Sequence, residues 1–242
     1  MKLPTLHPWP THVLEARELQ GRLARTVTAA RLRSPTRLLA GAAVEVVAQG
    51  GTVLAAVVVV EADGMHLVDV ATHVTRTTFP HVPGYASFRE VPALLSAFER
   101  LNHAPDVVLL NRPGQAHPRK LGTASHLGLW LQLPTVGVAT ELSMASAPNL
   151  AMAQGSTVPV LHEEDGLVIA MAVRSVADQP PLFVSVGHRI TLLEAASVTL
   201  AACRDKRLPE PIRLAREQIV SLKKNLTRLD PEMAALVKHH KT

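Results

Sequence analysis

Apolar and polar positions along the chain change period several times, and each change marks an element. From Thr11 to about Arg31, Leu14, Leu19, Leu23 and Val27 recur near helical spacing among Arg and Glu, which predicts an N-terminal helix. After Ser34-Pro35, Leu38–Val47 predicts a strand closed by Gln49-Gly50-Gly51. Thr52–Glu61 is rich in β-branched residues and runs into Asp63-Gly64, a hairpin signal, and Met65–Thr77 alternates as a third strand. These predict three antiparallel strands.

The rhythm then becomes strand–helix. Ser87–Leu101 places Val91, Leu94, Leu95 and Phe98 on one helical face. Asp106–Leu110 predicts a short buried strand, His117–Leu131 a helix and Pro134–Ala139 a further strand, a succession that implies parallel pairing. Strands near Val158–His162, Leu167–Val173 and Leu182–Val186 follow, then a helix over Leu192–Ala202. Pro211–Asn225 predicts a basic helix carrying Arg213, Arg216, Lys223 and Lys224, and the tail His239-His240-Lys241-Thr242 is expected to fray. The expected fold class is α/β: a mixed sheet, three antiparallel strands followed by parallel ones, with helices on both faces. One domain over 1–242 is expected, with the N-terminal helix at about 11–31, the core at about 38–208 and the basic helix at about 211–225.

Composition narrows this picture. At 242 residues the chain can bury a sizeable core, and with 47% hydrophobic but 3% aromatic residues that core must be Ala, Val and Leu. A net charge of +5 favours a polyanionic partner. The single cysteine, Cys203, cannot form an internal disulfide, so a reducing compartment is expected and Cys203 reads as a small buried hydrophobe. The opening residues show no apolar signal region, and Val53–Val60, the longest apolar run, is far short of the roughly 20 residues that span a bilayer. A soluble, cytoplasmic protein is the expectation.

Two stretches concentrate the candidate chemistry: Pro80–Glu90 (PHVPGYASFRE) and Asn111–Gly122 (NRPGQAHPRKLG). Glu90 can face a metal or a phosphate-bound water. It also completes S-x-x-E with Ser87, a capping box in which the glutamate only satisfies backbone N–H groups. Asn111 follows a buried strand, where α/β proteins place their sites, yet before Pro113-Gly114 it also serves as a turn former. His117, Arg119 and Lys120, placed at a helix start, would oppose the helix dipole unless an anion bound there or water solvated them. His188 in Gly187-His188-Arg189 can act as ligand or proton shuttle, or merely pack at a strand end. The other histidines lack metal-ligand spacing.

Taken together, Pro80-His81-Val82-Pro83-Gly84, Phe88-Arg89-Glu90, Ala116-His117-Pro118-Arg119-Lys120-Leu121-Gly122, Ala124-Ser125-His126-Leu127-Gly128, Pro134-Thr135-Val136-Gly137-Val138-Ala139 and Gly187-His188-Arg189 resemble the endonuclease V family over roughly Leu39–Leu208. The resemblance implies a ribonuclease H-like core and a Mg²⁺- or Mn²⁺-dependent enzyme. It implies cutting near deaminated bases, chiefly inosine, in DNA or in RNA, by a monomeric scaffold. It further implies a wedge loop that opens the strand while the altered base enters a pocket beside the metal. Carried over by position, His81, Val82, Pro83, Gly84, Tyr85, Arg112, His117, Arg119, Lys120 and Thr140 would contact nucleic acid, and Glu90 and Asn111 would hold metal.

The chain departs from the family pattern at sensitive places. The first-strand aspartate falls at Ala43 and the later one at Asn111, while Glu90 is kept. The glycine after the second aspartate is Arg112, expected to narrow the base pocket or turn outward onto phosphate. The wedge tyrosine is His81, the lysine after Gly-Val-Ala is Thr140, and a carboxylate found in some members falls at Leu193, beside Glu194. Mg²⁺ is a hard cation held by anionic oxygens, so these changes weaken its cage. Glu45, two positions beyond Ala43, points to the same face of a strand and can replace the lost charge only by moving the metal. Three outcomes are open: weak, Mn²⁺-favouring cleavage through Glu90, Asn111, His188 and Glu45; a non-catalytic nucleic-acid binder; or a scaffold for a partner protein.

Overall fold

A computed structural model describes residues 3–47, 51–142, 149–163 and 165–229. The turn at Gln49-Gly50 and the tail beginning at His239 lie outside the described residues. The elements run α1 (Val13–Ala24), β1 (Leu38–Val47), β2 (Thr52–Glu61), β3 (Leu67–Arg76), α2 (Ala86–Glu99), β4 (Val107–Leu110), α3 (Thr123–Leu131), β5 (Thr135–Ala139), β6 (Thr157–Leu161), β7 (Val168–Val173), β8 (Leu182–His188), α4 (Leu192–Ala201) and α5 (Glu210–Leu229).

All eight strands join one sheet in the order β3-β2-β1-β4-β5-β8-β7-β6. The β1–β4 and β4–β5 pairs are parallel and the remaining pairs antiparallel. This is the expected mixed sheet. β2 carries valines buried on both faces because helices cover it on both sides.

Alternation along β1 shows how the layers divide. Ala40, Ala42 and Val44 face Val91, Leu94 and Phe98 of α2 and Leu127 of α3. Leu39, Ala43 and Val47 face Ile212, Ala215 and Ile219 of α5. A third cluster joins Leu19 and Leu23 of α1 to Phe79, Tyr85 and Phe88, seating α1 under the Pro80–Tyr85 loop. Gly41 has a specific reason to be glycine: a Cβ there would lie 2.0 Å from the Pro211 carbonyl carbon, where α5 begins on β1.

Two elements differ from the sequence expectation in ways that matter. The first helix stops at Ala24 rather than near Arg31. The helix expected from His117 begins only at Thr123, and Lys120 adopts a φ of 54°. His117, Arg119 and Lys120 therefore lie in a turn before the helix, and the conflict with its dipole does not arise.

Candidate functional site

The parallel strands β1 and β4 are in register at Ala42–Leu110, so Ala43 and Asn111 are the next step along each. The Asn111 N–H donates to the Ala42 carbonyl at 3.2 Å, and its side-chain Nδ2 donates to the Val138 carbonyl at 3.1 Å. The chain then turns through Arg112, Pro113 and Gly114. Gly114 permits that turn, since a Cβ would lie 2.2 Å from the Val186 carbonyl oxygen.

Glu90 approaches this turn from α2, with its side chain only 5% exposed. Arg112 Nε donates to Glu90 Oε1 at 3.0 Å and Oε2 at 3.2 Å, and the Thr123 hydroxyl donates to Oε2 at 2.9 Å. The guanidinium also donates from Nη1 to the Asn111 carbonyl at 3.0 Å and from Nη2 to the Val44 carbonyl at 2.8 Å. One cation thus ties together α2, the end of β4 and β1.

The capping box expected from Ser87 and Glu90 is not formed. Helix α2 starts one residue before Ser87, its N-cap Tyr85 makes no side-chain cap bond, and the Ser87 hydroxyl is buried without a partner among the described residues. The box forms instead at Thr191 and Glu194. Glu194 also accepts from the Leu32 N–H at 3.1 Å, which ties it to the segment before β1.

Beside the Arg112–Glu90 pair lies a cavity of about 390 Å³. Pro83, Gly84 and Ser87 line it together with Ala116, His117 and Thr123, and Arg112 and Glu141 border it. Arg112, expected to narrow this pocket or to turn outward onto phosphate, borders it with its head group on Glu90.

The rim of the cavity is stitched together by Arg119. Its Nη2 donates to the Gly84 carbonyl at 2.7 Å, its Nε donates to Gln20 Oε1, and its guanidinium carbon lies 4.2 Å from the Tyr85 ring centroid. Gln20 in turn donates to the carbonyls of Gly84 and Leu121, each at 3.0 Å. Gly84 has φ of 80°, and a Cβ there would lie 2.3 Å from Arg119 Nη2, so glycine serves both turn and contact. Arg119 and the buried Tyr85 thus shape the loops from within. His81 and Pro83 are exposed at the loop tip, Val82 is half-buried beneath it, and His81 Nδ1 lies 2.9 Å from Arg89 Nη1.

His117 borders the cavity with its ring pKa lowered to about 4, first by desolvation and then by the Arg119 charge. It is neutral at neutral pH. Lys120 pairs with Asp165 at 3.2 Å on the surface. Thr140, at the end of β5, is half-buried and its carbonyl accepts from Arg207 Nη2 at 3.1 Å.

Two expected participants sit elsewhere. Glu45 does share the face of Ala43, but its carboxylate is bonded to Lys223 of α5. His188 pairs with Thr135 at the start of β5, the level of Val108, whereas Asn111 lies beyond the end of β4. Three residues of strand separate those levels, roughly 10 Å. Its Nδ1 accepts from the Thr28 N–H at 3.3 Å, and burial followed by the Arg189 charge lowers its pKa to about 4. Cys203 is buried as expected, its thiol pKa pushed up to about 12 by desolvation.

Sequence reasoning missed Ser87 as a lining group, Thr123 as a partner of Glu90, and Gln20 as a loop clamp. Only folding brings Gln20 to Gly84 and Leu121, and no local pattern announces it. Among the described residues, no group of three or more His, Cys, Asp or Glu side chains converges as a metal cage. Nor is any helix there long and apolar enough to cross a membrane.

A ribonuclease H-like sheet with a buried glutamate brought by a helix to the end of a central parallel strand defines the class. The sequence profile of the Endonuclease V family matches residues 21–217. Endonuclease V of Dehalococcoides mccartyi is 42% identical over 215 residues, covering 89% of this chain and 96% of the other. That of Trichormus variabilis is 38% identical over 89% and 97% of the two chains. The endonuclease V crystal structure from Streptomyces avermitilis superposes with a TM-score of 0.85 at 36% identity, covering 90% of this chain and 96% of that one. A Ciona intestinalis endonuclease V, crystallised with a 24mer DNA containing an inosine followed by a ribo-adenosine, gives 0.76 at 26% identity, covering 88% and 98%. This chain belongs to the endonuclease V family.

Proposed function

We propose that this protein engages nucleic-acid strands containing a deaminated base, inosine first, and that its cleavage of them is weak or absent. The observation that carries the reading is the cavity between the Pro80–Tyr85 and Asn111–Gly122 loops, bordered by Arg112, whose guanidinium is bonded to Glu90. Its size falls within the usual 300–1,000 Å³ of small-molecule pockets, enough for a flat base. The Ciona relative crystallised with inosine-containing DNA supports this choice of ligand. His81, Val82 and Pro83 would enter the strand, and His117 and Ser87 would line the base site. The single domain over 1–242 would act as one unit.

Weakened cleavage is inferred from the donor set. The family resemblance puts carboxylates at Ala43 and Asn111, where this chain has a methyl group and an amide. Glu90, the remaining anion, already carries a guanidinium. Glu45 is committed to Lys223. These residues do not fit Mg²⁺ or Mn²⁺, which need several anionic oxygens with open approach.

The test is nicking of inosine-containing and undamaged oligonucleotides with Mg²⁺ or Mn²⁺, beside an Ala43→Asp/Asn111→Asp/Arg112→Gly variant. The natural chain should bind the inosine strand and cut it at least 100-fold more slowly than the variant. Equal cutting by the two would refute the charge argument. Absence of strand binding at low salt would favour a protein-binding scaffold instead.

A further inference from the structure

Resting on that nucleic-acid reading, we propose that Arg112 is a resident cation: it replaces a divalent ion on Glu90 and makes strand binding independent of metal. Three features of the geometry carry this. First, a planar guanidinium has five N–H donors. Both Glu90 oxygens share the Nε proton, and one proton each from Nη1 and Nη2 goes to the Asn111 and Val44 carbonyls. These are oxygens that a hard cation would otherwise attract, and they are satisfied by a fixed positive charge.

Second, the guanidinium occupies the approach to the carboxylate, with its Nε on both Glu90 oxygens. A divalent ion approaching Glu90 would meet a like charge about 3 Å from the carboxylate. Displacing Arg112 would break four hydrogen-bond contacts that join three elements. The protein therefore holds its own counter-charge where the resemblance implies an exchangeable one.

Third, Arg112 is not used up. Each Nη nitrogen retains one N–H without a partner among the described residues, the side chain is 33% exposed, and it borders the cavity. The buried Ser87 hydroxyl, which also lines the cavity, has no partner among the described residues. These groups are suited to an acceptor oxygen of the strand, from a phosphodiester or from a base carbonyl. The assignment makes Arg112 a binding residue with two sides, one locked to Glu90 and one presented to ligand.

The experiment uses the full chain and two independent readouts. Mn²⁺ is titrated with detection by electron paramagnetic resonance and by thermal shift. Binding of a fluorescent inosine oligonucleotide is measured by anisotropy, with EDTA or with Mg²⁺, over a range of salt. The natural chain should bind no Mn²⁺ below millimolar concentration and should hold the strand equally with EDTA or Mg²⁺. Arg112→Gly should lose about tenfold in strand affinity. If the salt slope also falls by about one, the contact is to phosphate, and an unchanged slope assigns it to a base carbonyl. Arg112→Lys, which keeps the charge but loses the fork, provides a second variant should the glycine form melt early. It should give an intermediate affinity. Micromolar Mn²⁺ binding by the natural chain, loss of strand on adding EDTA, or unchanged affinity in both variants would overturn the proposal. Failure of the natural chain to bind any strand would overturn the nucleic-acid reading, while the Mn²⁺ titration would still judge the resident cation.

Discussion

Arg112 and Glu90 are unequal partners, because Glu90 is almost fully enclosed whereas a third of Arg112 reaches solvent. Removing one member of a buried pair leaves the other charge without compensation, and the penalty grows with burial. Arg112→Met should therefore destabilise the protein by roughly 2–3 kcal/mol, because among the described residues the Glu90 carboxylate is left with the Thr123 hydroxyl. Glu90→Gln should cost less, about 1 kcal/mol, because the freed guanidinium keeps two carbonyl partners and water. Urea melts of the two variants give the comparison, and a larger loss from Glu90→Gln would mean that the pair is not organised by burial. The importance of Glu90 was legible in the sequence. Its partner was not, because Arg112 read equally well as an obstacle in the pocket or a hand on phosphate. Side-chain direction at a strand end is set by what lies opposite, here a carboxylate 22 residues earlier.

At the scale of elements, the segment before α1 is held against α3 by a buried imidazole pair. His7 Nδ1 lies 2.9 Å from the Pro8 carbonyl, which fixes its proton there and leaves Nε2 as an acceptor. That atom takes hydrogen bonds from His126 Nε2 at 2.8 Å and Trp130 Nε1 at 3.2 Å, while Trp9 stacks on Trp130 with ring centroids 5.2 Å apart. Desolvation lowers the pKa of both histidines, with Arg22 adding to the effect at His7 and His7 itself at His126. Burial thus favours the neutral form of both rings, and protonating either would break the arrangement. Acidification from pH 7 toward pH 4.5 should loosen the segment. The chain has two tryptophans and both are in this cluster, so intrinsic fluorescence reports on it directly. A red shift below pH 6, ahead of any loss of far-UV signal, is the expected result, and a spectrum unchanged down to pH 4 would contradict it.

Across the whole molecule, His117 and His188 act on stability in the same direction. Each has a folded pKa near 4 against an ordinary 6.5, so between those values the unfolded chain binds more protons than the folded one. Stability contributed by keeping these rings neutral is complete above pH 6.5 and lost as pH falls toward 4. For His188, which is nearly enclosed, the loss approaches about 3 kcal/mol, and for half-buried His117 it is smaller. Urea midpoints measured at pH 7, 6, 5 and 4 should fall monotonically, and His188→Asn should flatten part of that slope. A midpoint that rose on acidification would reverse the sign of this account.

By itself the sequence determined the strands and most of the helices, though not the strand order across the sheet. β1 and β2 were legible residue for residue because a strand that is apolar on both faces, bounded by turn signals, leaves few alternatives. It also determined the family through ordered motifs from Pro80 to Arg189. Only the tertiary structure decided what the candidate residues do. It put Glu45 on Lys223, took His188 to the far end of β5, turned Arg119 inward onto Gly84 and Tyr85, and closed Arg112 over Glu90. The physical reason is range. Periodicity records which face of an element is buried, a local property, whereas a charged side chain is oriented by partners brought near through contacts distant in sequence.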